Sequence, residues 1–121
     1  MLSVGAGVRI FICREATDMR RSFEGLSALA KNVVKQDLLT GHLFVFFNRS
    51  RTCVKILLWD RTGFVIWYKR LEQGTFREHR ADEIDRGELV CLLEGLDLKE
   101  FRRRKRFDPL PLLKARTRTG A

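Results

Sequence analysis

Three short apolar runs constrain this chain more than any other feature. They are residues 43–47 (Leu-Phe-Val-Phe-Phe), 53–59 (Cys-Val-Lys-Ile-Leu-Leu-Trp) and 64–71 (Phe-Val-Ile-Trp-Tyr-Lys-Arg-Leu), and both Trp and the only Tyr fall within them. The polar turns Asn48-Arg-Ser-Arg-Thr52 and Asp60-Arg-Thr-Gly63 separate them. Runs of β-branched and aromatic residues with turns this short predict an antiparallel three-stranded meander. With Asp60–Gly63 as the turn, Trp59 opposes Phe64, Leu57 opposes Ile66, and Lys55 opposes Tyr68. The other face then carries Leu58 with Val65, Ile56 with Trp67, and Val54 with Lys69. Neither face is polar near that turn, so the sheet needs two covers, or one cover and a partner.

The flanking segments supply candidates for those covers. Residues 8–13 (Val-Arg-Ile-Phe-Ile-Cys) read as an N-terminal strand able to add to a sheet edge. Thr17 or Asp18 is placed to cap a helix over about 19–36. There Met19, Phe23, Leu26, Ala30 and Val33 form one stripe, and Leu29 and Val34 widen it. Asp37 and Gly41 suit the helix exit. Residues 73–87 are charged and read as a surface loop. Glu88–Glu94 reads as a short helix with Leu89, Leu92 and Leu93 inward, stopped by Gly95. The expected fold is α+β: a small antiparallel sheet, the meander plus the N-terminal strand, packed by one long helix and a short C-terminal helix. One globular domain over 1–98 and a basic, flexible tail over 99–121 are expected from 121 residues.

Charge separates these two parts. Residues 99–121 hold nine Lys/Arg and two Asp/Glu, most of the +9 excess of the chain. Such asymmetry points to a polyanion partner, most often nucleic acid. Arg102, Arg103, Arg104, Lys105 and Arg106 are five consecutive cations that can track a phosphate backbone. Phe101 and Phe107 flank them as anchors. Arg20 and Arg21 follow the expected helix cap, where a positive helix end disfavours cations unless an anion is bound or a carboxylate such as Asp18 pairs with them. Lys55, Lys69 and Arg70 make both sheet faces basic at the end away from the Asp60 turn. All ten cations are candidate nucleic-acid contacts.

No catalytic constellation is evident. His42 and His79 stand apart from any nucleophile, and Cys13, Cys53 and Cys91 lack metal or redox spacing, which fits reduced thiols. Asp18, Asp60 and Glu72 lie at element ends, where a metal-dependent nuclease could assemble a site, yet each has a simpler capping, turn or pairing role. No phosphate-binding glycine loop is present. No cofactor, metal or small-molecule substrate is expected. No apolar run approaches the roughly 20 residues that span a bilayer, and no export leader is seen, so a cytoplasmic protein without a membrane partner is expected. The strand 41–47 has the aromatic look of RNA-recognition modules, but it lacks the basic residue before its glycine and reads better as core.

Several segments are then found in a familiar order. They are Thr17-Asp-Met-Arg20, Phe23 with Gly25-Leu26, Gly41-His-Leu-Phe-Val-Phe46, Lys55-Ile-Leu57 with Trp59-Asp60, Gly63-Phe64, Trp67-Tyr-Lys-Arg-Leu-Glu-Gln-Gly-Thr-Phe76 and Leu92-Leu-Glu-Gly-Leu-Asp97. Over about Val4 to Leu98 the chain resembles the TnpB-type accessory proteins encoded by the second reading frame of IS66-class bacterial insertion sequences. The resemblance implies a non-enzymatic factor required beside a separate, larger transposase that carries the catalytic carboxylates. It therefore implies DNA, at the element ends, and that transposase as partners, in a bacterial cytoplasm and at the nucleoid when DNA is bound. It offers no active-site residues to carry over. Arg61-Thr62 and the charged 77–87 stretch depart from the usual family pattern. A pure protein adaptor and a small nuclease using Asp18, Asp60 or Glu72 are the competing expectations.

Overall fold

The computed structural model describes Gly5, residues 7–78 and residues 80–94. His79, Gly95 and the 99–121 tail lie outside the described residues. The elements run β1 (Ile10–Cys13), α1 (Phe23–Leu29), a π-helical turn (Ala30–Val34), a 3-10 turn (Leu38–Thr40), β2 (Leu43–Phe47), β3 (Cys53–Asp60), β4 (Gly63–Arg70), β5 (Glu83–Ile84) and α2 (Arg86–Leu93).

The meander and its register are as the turn chemistry predicts, with Trp59 against Phe64, Leu57 against Ile66 and Ile56 against Trp67. The order is β4-β3-β2-β1-β5. The sheet is mixed rather than antiparallel, because β1 pairs with β2 in parallel, Ile10 beside Leu43 and Cys13 beside Phe46. A parallel neighbour needs a crossover, and α1 with its π-helical extension supplies it. The expected loop 73–87 contains β5, antiparallel to β1 through Ile10–Ile84 and Phe11–Glu83. Arg9 fixes that edge by a two-pronged bond to Glu83 at 3.0 and 2.6 Å.

The long helix is shorter than the 19–36 stripe predicts. Lys55 Nζ donates to Met19 O at 2.7 Å and to Arg21 O at 2.8 Å. In a helix begun at residue 19 those carbonyls would accept from Phe23 and Gly25. Lys55 takes them instead, and the helix starts at Phe23 with Ser22 as its N-cap, which makes no side-chain bond. Asp18 is therefore not a helix cap. Its carboxylate accepts the Arg20 N–H at 2.9 Å and closes a local turn. Thr17 is buried, and its N–H donates to Phe47 O at 2.8 Å. Phe23 leaves the stripe and is 45% exposed. At the far end Lys35 N–H reaches Ala30 O at 2.8 Å, the i to i+5 bond of a π-turn, and Lys35 stops the helix at φ 61°. Gly25 permits close approach of a side chain rather than a backbone: a Cβ there would lie 3.1 Å from Arg21 Cβ.

Two covers satisfy the two apolar faces. One face buries Ile10, Ile12, Leu43, Val45, Val54 and Ile56 against Leu89, Leu92 and Leu93 of α2. The other buries Phe11, Phe44, Phe46 and Leu57 against Leu26 and Ala30. α2 begins at Arg86, two residues earlier than expected, because Asp85 and Glu88 form a reciprocal capping box. Along β3 burial fades toward the Asp60 turn, where Leu58 and Phe64 pack against the two clusters while only partly buried.

Candidate nucleic-acid interface

The cations expected to bind nucleic acid separate into two groups once folded. Lys55 and Lys69 lie on opposite faces and turn inward. Lys55 is 8% exposed, with Met19 O, Arg21 O and the Tyr68 ring, 4.8 Å away, around its ammonium. Lys69 Nζ donates to Leu93 O at 3.0 Å, at the carbonyl-rich end of α2. Arg20, Arg21 and Arg70 remain exposed. Arg102, Arg103, Arg104, Lys105 and Arg106 lie outside the described residues.

Arg20, Arg21 and Arg70 lie toward the same end of the sheet, the first two through the Lys55 bond to Arg21 O and the third opposite Cys53. The 48–52 turn forms this end, where Asn48 Oδ1 accepts from the N–H groups of Thr52 and Cys53 at 2.9 and 3.0 Å. Lys55 ties the 19–21 turn to β3. On the same face Arg70 stands opposite Cys53, and Tyr68 Oη donates to Cys53 Sγ at 3.6 Å. That bond and partial burial raise the Tyr68 phenol above its ordinary pKa, while nearby Arg70 opposes the rise. Tyr68 is 52% exposed, an aromatic ring beside cations at the surface. Arg49 lines a cleft of about 630 Å³ with Asp18, Met19 and Asn48.

Carboxylates temper this charge. Arg20 pairs with Asp18 at 2.7 Å, and its guanidinium hydrogen bonds hold the Asp18 carboxyl down at about 2. Arg70 pairs with Glu72 at 3.4 Å, an exposed contact of little stabilising value. Both pairs leave the guanidinium open to solvent on its outer side, where a phosphate can compete for it. Arg49 and Tyr68 were not among the sequence candidates. Their signal was a cation in a short inter-strand turn and an aromatic facing Lys55 across the hairpin.

The three candidate catalytic carboxylates are not brought together. Asp60 closes the hairpin tip, whereas Asp18 and Glu72 sit at the other end of the eight-residue β3, roughly 23 Å away at 3.3 Å per residue. Among the described residues no group of three or more His, Cys, Asp or Glu could hold a metal ion. Cys13, Cys53 and Cys91 are buried and form no disulfide among the described residues, and burial raises the Cys13 thiol pKa. His42 Nδ1 accepts the Arg9 N–H at 2.9 Å, a bond that joins the starts of β1 and β2. Among the described residues no helix is long and apolar enough to cross a membrane.

Comparison with known proteins bears on most of the chain. The family model of IS66 Orf2-like proteins matches residues 8–103. Uncharacterized protein y4hO of Sinorhizobium fredii is 38% identical over 101 residues, covering 80% of this chain and 88% of its own. Uncharacterized protein y4jC of the same organism is 30% identical over 110 residues, covering 86% of this chain and 92% of its own. No solved structure matches. With a family match running from before β1 to beyond α2, and relatives aligned over most of their own length, the chain belongs to the IS66 Orf2-like family, which is associated with the transposition of insertion sequences.

Proposed function

We propose that this protein is a non-enzymatic accessory factor for DNA transposition, binding DNA through its cations and working beside a separate transposase. The observation that carries this reading is the pairing of family membership with the cation-rich 99–121 stretch. Arg102, Arg103, Arg104, Lys105 and Arg106 supply sequence-independent affinity by displacing counterions from phosphates. Arg20, Arg21, Arg49 and Arg70 supply a second contact that sets orientation, since phosphate contacts position a protein without reading bases. Lys55 and Lys69 act indirectly, by holding the 19–21 turn and the end of α2.

The test is a salt series of binding to the element's terminal repeats and to random duplex DNA. The full chain is compared with a variant carrying Gln at all five positions from 102 to 106. If each of the five cations meets a phosphate, the slope of log K against log salt becomes shallower by about 4 to 5 in the variant. Identical slopes would refute the tail contact. Absence of binding to any DNA at low salt would leave a protein adaptor as the better reading. Adding the transposase is expected to raise preference for the terminal repeats, and unchanged preference would remove that part of the proposal.

A further inference from the structure

The two edges of the sheet are unlike. β5 ends one side with two residues, too short to template another strand. β4 ends the other with eight residues, and no described strand pairs with its outer side. Its ladder to β3 runs without a bulge from Asp60–Gly63 to Cys53–Arg70, and it contains no proline. Val65, 42% exposed, lies on one face of this edge, and Tyr68 lies on the other. Apart from Lys69 and Arg70 at one end, the strand has none of the devices that keep edges apart.

We infer that β4 pairs antiparallel with β4 of a second copy of this chain, joining two five-stranded sheets into one of ten strands. A two-fold axis perpendicular to the sheet keeps each face continuous. One register makes β4 complementary to itself. Ile66 lies on the axis beside the partner's Ile66, Phe64 meets the partner's Tyr68, and Val65 meets the partner's Trp67. Aromatic and β-branched pairs of this kind are the favoured cross-strand contacts. The two exposed residues, Val65 and Tyr68, each gain an aromatic neighbour.

Charge selects the same register. Lys69 falls opposite the partner's Gly63, whose own neighbour on β3 is Asp60. A Cβ at Gly63 would meet nothing within 4 Å, so open space separates the lysine from that carboxylate. Asp60 makes no ion pair among the described residues. The gap spans two strand spacings, roughly 10 Å, within reach of a lysine and an aspartate together. In the single chain Lys69 Nζ rests on Leu93 O, and it exchanges that carbonyl for the partner's carboxylate when the edges pair. Arg70, paired with Glu72, falls opposite the partner's Thr62, so no like charges face each other directly. Sliding the strands by one step on each side places Lys69 opposite the partner's Val65 and loses the pairing.

Sedimentation equilibrium of the full chain is expected to show mass rising with concentration from one chain toward two. Val65→Lys should raise the dimer dissociation constant by about tenfold or more, while the melting temperature measured at dilution, where both proteins are single chains, stays unchanged. Leu39→Lys, an exposed apolar position remote from the edge, should leave it unaltered. Ile66→Cys should form a disulfide-linked dimer under mild oxidation, because this position meets its own copy. A single-chain mass at every concentration would overturn the proposal, as would equal effects of Val65→Lys and Leu39→Lys. Hydrogen-exchange protection of the β4 edge amides that appears only with added transposase would assign the edge to that protein. Protection of those amides in a strictly monomeric chain would assign it to another segment of the chain itself. Either result overturns the self-pairing.

Discussion

Phe76→Ala is expected to cost about 3–5 kcal/mol of stability, read as a lowered urea midpoint. Phe76 lies in a polar stretch, yet it is 1% exposed, with its ring centroid 5.5 Å from that of Phe47. Its backbone is held as firmly as its ring. Phe76 N–H donates to Arg51 O at 2.7 Å, and Phe76 O accepts from Arg51 Nε at 3.0 Å. Arg51 also donates to Arg77 O at 2.7 Å and lays its guanidinium 4.3 Å from the Phe47 ring centroid. It does this from a left-handed backbone, φ 58°, an arrangement that costs of order 1 kcal/mol and persists where the surroundings enforce it. Removing the Phe76 ring therefore empties a core site and loosens the clasp between the 48–52 turn and the 71–78 segment. Arg51→Ala combined with Phe76→Ala should cost less than the two single losses added, because they share this clasp. A loss below about 1 kcal/mol for Phe76→Ala would mean that the segment is not docked on the sheet.

Lys55→Met is expected to cost about 2–4 kcal/mol, two charge-assisted hydrogen bonds offset by a better-buried side chain. In a domain of this size that lowers the melting temperature by about 10–20 °C. Methionine keeps the length and most of the volume, so the loss reports the ammonium rather than a cavity. Met19 O and Arg21 O are left without their donor, and the 18–22 turn is released from β3. The local sign is faster hydrogen exchange at residues 19–22 while the amides of β2 stay protected. Arg20 and Arg21 then lose their fixed position, so DNA affinity should fall although neither cation has been removed. An unchanged melting temperature would show that the turn is held by Asp18 and Thr17 alone.

The contrast between the two expected basic groups explains what could be read from residues. The β3–β4 register was legible because a two-residue loop and period-two patterning are local constraints. The existence of α1 was legible from its stripe, but its start was not. Whether residues 19–22 join the helix is decided by Lys55, more than thirty positions downstream, which claims their carbonyls. Lys55 sits in an apolar strand, and that was the available hint that its ammonium would need buried acceptors. β5 was hidden because two residues in a charged stretch carry no periodicity. Only Ile84, buried at 4% exposure, marks them, and only Arg9 explains why Glu83 is tolerated beside it. The parallel placement of β1 follows from a strand–helix–strand order, which implies a crossover wherever both strands join one sheet. Of the candidate site, the exposed arginines were legible as charge. Their placement toward one end of the sheet, with Arg70 beside Tyr68, depends on long-range pairing and was not.

The interior position of β1 sets an order of assembly. Among the described strands β1 is the first to be synthesised, but its neighbours come from residues 43–47 and 83–84. Its contact with β5 joins positions 74 apart, Ile10 to Ile84, whereas β3 and β4 close around two residues. Loop-closure entropy favours the local pair first. A nascent chain that has just completed the meander therefore carries a β1 whose second edge has no strand to take it, and such an edge is open to foreign strands. Pulse-labelled hydrogen exchange during refolding should find residues 54–69 protected before residues 10–13. The reverse order would show that β1 docks without waiting for its last neighbour.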